Sequence, residues 1–217
     1  MSGPTPPEAP LDCRLCPRLV TYREANKAAE PDWFNAPAPS FGDPDAELLI
    51  AGLAPGRTGA NRTGRPFTGD FAGDLLYATL AAYGFSQGQY DARPDDGLVL
   101  TGAMITNAVR CAPPENKPTG DEIKACNPFF QARLAALPRL KVILALGKIA
   151  HDAVLRSFQE KLSKHRFSHG AVHTLPNGLT LIDSYHCSRY NTQTGRLTPQ
   201  MFGDVFGEIR KRLDRAA

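Results

Sequence analysis

Three groups of residues in this chain have the types and spacing for chemistry. The first lies in a glycine-rich stretch, GLAPGRTGANRTGRPFTGD, where Arg57, Arg62 and Arg65 accompany Phe67, Thr68 and Asp70. Glycines let backbone N–H groups approach a ligand that a Cβ would keep away. The same stretch offers cations for phosphate, an aromatic face for a planar base and a carboxylate to act on water. The second group is His186 with the run from Ser188 through Arg189 and Asn191 to Arg196. An imidazole can donate a hydrogen bond to a developing anion, and uncharged hydrogen-bonders between two arginines suit a phosphate backbone. Asn107 adds an amide that both donates and accepts, as reading one edge of a nucleobase demands. The third group is Cys13, Cys16, Cys111 and Cys126, with Cys187 left over.

A Cys-x-x-Cys pair beside two further cysteines suggests a four-thiolate metal site, zinc or iron–sulfur. Zinc sites usually pair two tight knuckles, whereas Cys111 and Cys126 are separated by 14 residues, which favours a cluster. Four buried free thiols are the alternative, although the N-terminal position of Cys13 and Cys16 offers little core to bury them. The cheapest role for such a cluster is structural, tying the N-terminal segment to later helices.

The elements that must position these groups follow from apolar periodicity. Leu48 to Leu53 reads as a buried strand that empties into the glycine-rich loop, with a helix over about Gly73 to Tyr83. Further strands are expected over Leu98 to Thr106, Leu140 to Leu146 and Leu179 to Ser184. Helices follow Cys16, Gly147 and Thr119, the last forming a capping box with Glu122. The final helix has Thr198 as N-cap and Pro199 at N1, with Phe202, Val205, Phe206, Ile209 and Leu213 on one stripe. Strands alternating with helices imply a mostly parallel sheet covered on both faces. The loops after Leu53, Thr106, Leu146 and Ser184 then emerge along one edge, where ligands bind in such sheets.

The 217 residues, 42% of them hydrophobic, fit one compact domain over residues 11–217 behind a proline-rich, disordered tail of residues 1–10. A net charge of only +3 excludes a polycation, so any nucleic-acid contact must come from local patches such as Arg57 to Arg65, Lys161 to His169 and Arg189 to Arg196. No stretch reaches the roughly 20 apolar residues of a membrane span, and the start lacks the basic and apolar regions of a secretory signal. A cytosolic chain is expected, and its five cysteines are then not disulfides.

Three segments, GLAPGRTGANRTGRPFTGD, ITNAVRCAPPENKPT and HCSRYNTQTG, closely resemble the type B, family 5, uracil-DNA glycosylases of bacteria and archaea. The resemblance runs from Cys13 to the last helix. It implies a three-layer α/β/α fold with a four-stranded parallel sheet, and a 4Fe-4S cluster on Cys13, Cys16, Cys111 and Cys126. Such enzymes extrude a damaged nucleotide and cut the bond between base and sugar. By similarity, Phe67 stacks on the base, Asp70 positions or activates water, and His186 stabilises the departing base. The backbone at Gly52 and Ala54 lines the pocket, Asn107 reads the base, and Asn116 belongs to the active site. Arg62, Arg189, Asn191 and Arg196 are the expected DNA contacts. The resemblance thus implies a cytoplasmic, nucleoid-associated monomer acting on DNA that contains uracil or related deaminated bases. Two other classes fit the residues: an iron–sulfur redox protein and a non-catalytic nucleic-acid binder.

Overall fold

The computed structural model describes residues 5–215. In chain order the main elements are α1 (Pro17–Ala29), β1 (Phe41–Gly42), β2 (Leu48–Gly52), α2 (Ala60–Thr63) and α3 (Phe71–Ala82). They continue with β3 (Ser86–Gln87), β4 (Val99–Leu100), β5 (Ala103–Asn107), α4 (Gly120–Ala135), β6 (Val142–Leu146) and α5 (Lys148–Ser157). The chain ends with β7 (Val172–Thr174), β8 (Thr180–Ser184), α6 (Arg189–Gln193) and α7 (Pro199–Arg215). The sheet order is β1-β5-β2-β6-β8-β7. Strands β5, β2, β6 and β8 pair parallel, and β1 and β7 add antiparallel edges. The sheet is therefore six-stranded and mixed, not the four-stranded parallel sheet expected from the sequence.

The parallel strands β2, β5 and β6 are buried at every position, as strands covered on both faces must be. Alternation splits their side chains between two cores. Leu48 and Ile50 pack with Leu76 and Leu80 of α3 and Phe202 and Phe206 of α7, while Leu49 and Ala51 pack with Phe130 of α4 and Val154 of α5. Helices on both faces make three layers. The stripe Phe202, Val205, Phe206, Ile209 and Leu213 is buried on α7 as the sequence spacing predicts. The segment Leu98 to Thr106 divides instead: β4 pairs with β3 in a separate hairpin, and Gly102, in the left-handed region at φ 64°, starts the turn into β5.

The N-terminal segment is fastened by charge. Of the tail read as residues 1–10, residues 1–4 lie outside the described residues, but Glu8 accepts hydrogen bonds from Ser40 N and Arg110 Nη1, both at 2.9 Å, and pairs with Arg133. Arg110 is 1% exposed in its side chain, and its Nη2 donates to Pro7 O at 3.1 Å. A buried guanidinium without a carboxylate partner is strongly unfavourable, so Arg110 holds Glu8 in place. Arg18 of α1 binds Glu122 of α4 in bidentate fashion, both contacts at 2.7 Å, while Glu122 also closes the expected capping box with Thr119.

Candidate active site

The carboxyl ends of β2, β5 and β8 surround a cleft of about 450 Å³ lined by Ala54, Arg57, Phe67, Asp70, Asn107, Asn116, His186 and Arg189, among others. Asp70 is the N-cap of α3, its Oδ1 accepting from Gly73 N at 3.1 Å. Burial pushes its carboxyl above the usual value, against the helix N-terminal amides of Gly73 and Ala72, which favour the charged form. A raised carboxyl is a stronger base once ionised.

His186 follows β8 across the cleft. Its ring lies 5.8 Å from that of Phe67, at 28° between planes. Desolvation pushes the imidazole down to about 4, so it is neutral at pH 7. A neutral ring still carries one N–H to donate. Asn191 Nδ2 donates to His186 O at 2.8 Å, which fixes the turn that presents the ring.

Phe67 and Asn107 share the floor above Gly52. A Cβ on Gly52 would overlap Asn107 Oδ1 and come within 2.9 Å of the Phe67 ring, so only glycine admits both side chains here. Asn107 is 3% exposed, and its Oδ1 has no hydrogen-bond partner. An unpaired buried acceptor is costly, and Gly52 lies directly against this one. Asn116 stands exposed at the rim with φ +58°, next to Glu115 at +55°. Two successive non-glycine residues in the left-handed region mark a strained segment of the kind that clusters at functional sites.

The expected DNA contacts divide. Arg189 lines the cleft and lies over the Phe71 ring at 5.2 Å. Arg62 is outside it, donating to Gly69 O at 3.3 Å beside a separate groove with Asp32 and Phe34. Arg196 caps the Tyr185 ring at 4.6 Å, and Asn191 is turned inward to His186. Arg57, one of the loop arginines expected to meet phosphate, lines the cleft, its guanidinium held by Asn26 Oδ1 at 2.7 Å and the Trp33 face at 5.0 Å. Its place in the glycine-rich loop was the available signal.

Cys13, Cys16, Cys111 and Cys126 line one apolar cavity with Leu19, Val109 and Phe129. Burial pushes the Cys16 thiol up to about 11 and the Cys111 thiol up to about 12. Such surroundings disfavour free thiolates and leave positive charge as what would stabilise them. Arg110 N donates to Cys126 Sγ at 3.3 Å and Arg23 Nη1 to Cys111 Sγ at 3.7 Å. Cys187 is fully buried in the other core, behind His186.

A second polar group lies apart from the cleft. Among the described residues, His151, His173 and Asp183 bring three candidate ligand atoms within 4.8 Å of one another. Each is already engaged: His151 Nδ1 meets Asp183 Oδ1 at 2.7 Å and His173 Nε2 meets Asp183 Oδ2 at 3.0 Å. His151 Nε2 meets His165 O at 2.9 Å. Burial alone would push the His151 imidazole down, but the Asp183 carboxylate overcomes it and the net direction is up. This closed network draws His173 of β7 and the backbone of His165 inward.

A cleft at the carboxyl edge of an α/β sheet, with a buried carboxylate, a neutral imidazole and a buried amide, is chemically suited to a planar, hydrogen-bonding ligand. The family model of the Uracil DNA glycosylase superfamily matches residues 39–210, and the chain belongs to that family. It is 51% identical to the Type-5 uracil-DNA glycosylase of Thermus thermophilus, over 92% of this chain and 93% of that one. It is 42% identical to the protein of the same name from Mycobacterium leprae, over 92% and 90% of the two chains. The corresponding protein of Pyrobaculum aerophilum is 38% identical over 90% and 86%.

Proposed function

We propose that this chain is a DNA repair glycosylase that flips uracil and related deaminated bases out of DNA and hydrolyses the N-glycosidic bond, leaving an abasic site. The observation that carries this is one cleft at the carboxyl edge of the sheet lined together by the Asp70 carboxylate, the neutral His186, the Phe67 ring and the Asn107 amide. Uracil donates at N3–H and accepts at O4, the pattern a side-chain amide such as that of Asn107 matches.

In the reaction the C1′–N1 bond breaks and its electron pair leaves with the base. His186 donates its N–H to the base oxygen on which that charge collects. The sugar becomes cation-like, a water attacks C1′, and its proton passes to the Asp70 carboxylate. Asn116 at the rim and the Ala54 backbone complete the wall of the pocket. Arg189 and Arg57 meet phosphates flanking the flipped nucleotide. Residues 11–217 act as one domain and the protein as a monomer on DNA, in the cytoplasm.

The four cysteines fit a 4Fe-4S cluster better than a single zinc ion. Cys111 and Cys126 lack the tight spacing of a zinc knuckle, and all four thiols line one apolar cavity. Two N–H groups aimed at sulfur and an apolar wall suit cluster thiolates. When bound, the cluster cross-links the segment from Cys13 to Cys16 to α4, and no chemical step depends on it. The test is incubation with an end-labelled duplex containing one uracil, followed by alkali: cleavage at the uracil is expected, and an intact strand would refute the reading.

A further inference from the structure

We infer that Arg65 and Asp96 are positioning residues for base excision: their buried ion pair holds the strained turn from which Phe67 and Asp70 reach the cleft. The inference rests on the glycosylase reading above and assigns Arg65 a role other than meeting phosphate. Arg65 and Asp96 are 5% and 1% exposed in their side chains. The pair is bidentate, with Nη1 to Oδ1 and Nη2 to Oδ2 both at 2.7 Å. Arg65 Nε donates to Thr68 Oγ1, also at 2.7 Å. Every nitrogen of the guanidinium is thus engaged inside the protein, in the planar fork that lysine cannot reproduce. Asp96 further accepts from the amides of Asp91 and Leu98, at 3.0 and 3.1 Å.

Aromatic rings close the site and continue to the turn. The guanidinium lies 5.5 Å from the Tyr77 ring and 5.7 Å from the Tyr90 ring, within range of cation–π attraction. Those two rings stack on one another with centroids 4.4 Å apart. Tyr77 Oη donates to Pro66 O at 2.7 Å, and Tyr90 Oη donates to Phe67 O at 3.2 Å while accepting from Gly69 N at 3.3 Å. Residues 65 to 69 are therefore gripped by one cluster. Within it Phe67 has φ +53°, a left-handed conformation that a bulky side chain rarely adopts. Such strain persists only where the surroundings over-determine it. A Cβ on Gly73 would overlap Phe67 O, so the start of α3 packs directly against the strained peptide. The turn and the Asp70 cap are thus one mechanical unit.

A pair that only stabilised the fold would leave the chemistry of folded molecules unchanged. The experiment compares Asp96→Asn and Tyr90→Phe with wild type in single-turnover excision of uracil from a duplex, affinity for abasic duplex, and melting temperature. Tyr90→Phe keeps the ring over Arg65 and removes only the hydroxyl. Each variant should lose about tenfold or more in excision rate, the scale expected of a slightly misplaced group. Affinity for abasic duplex should change by less than about twofold, separating chemistry from phosphate binding. Wild-type rates in folded variants that merely melt earlier would overturn the inference. If Asp96→Asn does not fold, Arg65→Lys, which keeps the charge and loses the planar fork, decides by the same readouts. A crystal structure of the variant supplies a readout free of activity: Phe67 should leave φ +53°, and its retention there would also overturn the inference. Lack of uracil excision by wild-type protein would instead refute the glycosylase reading.

Discussion

A Cβ on Gly59 would overlap the Asp70 carboxylate at Oδ2, so the loop gives this oxygen room that no other residue type would leave. The other oxygen, Oδ1, is spent on the α3 amide of Gly73. One carboxylate thus caps a helix and keeps an oxygen beside the cleft.

Asp70→Asn separates these roles. Asparagine is as good an N-cap as aspartate, so melting temperature and DNA affinity should hardly move. The amide cannot take a proton from water, and excision should fall by about 10²–10⁴. In wild type the rate should fall as pH drops through the raised Asp70 value, and that acid limb should vanish from the residual rate of Asp70→Asn. A loss of DNA binding in proportion to rate would make Asp70 a residue of loop structure alone.

His186 is the complementary case. Its imidazole is held down to about 4, so the rate should show no histidine titration near 6.5, the ordinary value. The sign for stability follows from the same shift. Between about 6.5 and about 4 the unfolded chain binds the extra proton and the native state does not, so stability is lost as pH falls through that window. His186→Ala should lower excision of every base by about 10²–10³, the usual effect of removing one donor to a developing anion. Loss confined to uracil, read in parallel assays on uracil and hypoxanthine duplexes, would make His186 a base reader instead.

The cysteine assignment predicts colour. Purified protein should be brown, with iron and acid-labile sulfide, and Cys13→Ser or Cys111→Ser should bleach and destabilise it. Cys187→Ser should do neither, because that thiol packs in the opposite core from the other four. Colourless protein carrying stoichiometric zinc would rule the cluster out.

The parts of the fold that were legible in sequence are those with a sustained pattern. The apolar runs of β2, β6 and β8, the stripe on α7 and the Thr119–Glu122 box are each written in consecutive residues. The two edge strands were not legible, because Phe41–Gly42 and Val172–Thr174 are too short to display a period and neither has a fully buried residue. The turn of helix at Arg189–Gln193 hides among β-branched and amide residues; what starts it is the Ser188 cap, its side chain accepting from Asn191 N at 3.5 Å. The grip of Arg110 on Glu8 spans about half the chain, and charges that distant in sequence carry no local signal. At the site, residue types indicated Phe67, Asp70, Asn107 and His186. They did not indicate that Asn191 would prop His186 or that Arg65 would be used up by Asp96.

Base choice gives the sharpest prediction. Asn107 Oδ1 is buried without a partner, and Gly52 leaves the side chain no Cβ to share its floor with. In the proposed reading the amide accepts from N3–H and donates to O4 of uracil, whereas cytosine presents an acceptor at N3 and a donor at N4. Cytosine would leave both amide groups facing their own kind, and unpaired buried polar groups cost on the order of 1–3 kcal/mol. Hypoxanthine carries a similar donor–acceptor edge, but on a ring one step farther from the sugar, so an amide fixed for uracil cannot meet it in the same place. Asn107→Ala should therefore lower uracil excision by about 5- to 150-fold, the rate equivalent of that energy, while hypoxanthine excision stays nearly unchanged. The measurement is single-turnover excision from matched duplexes that differ only in the damaged base. An equal loss on both bases would mean that the amide scaffolds Phe67 above Gly52 and does not read the base.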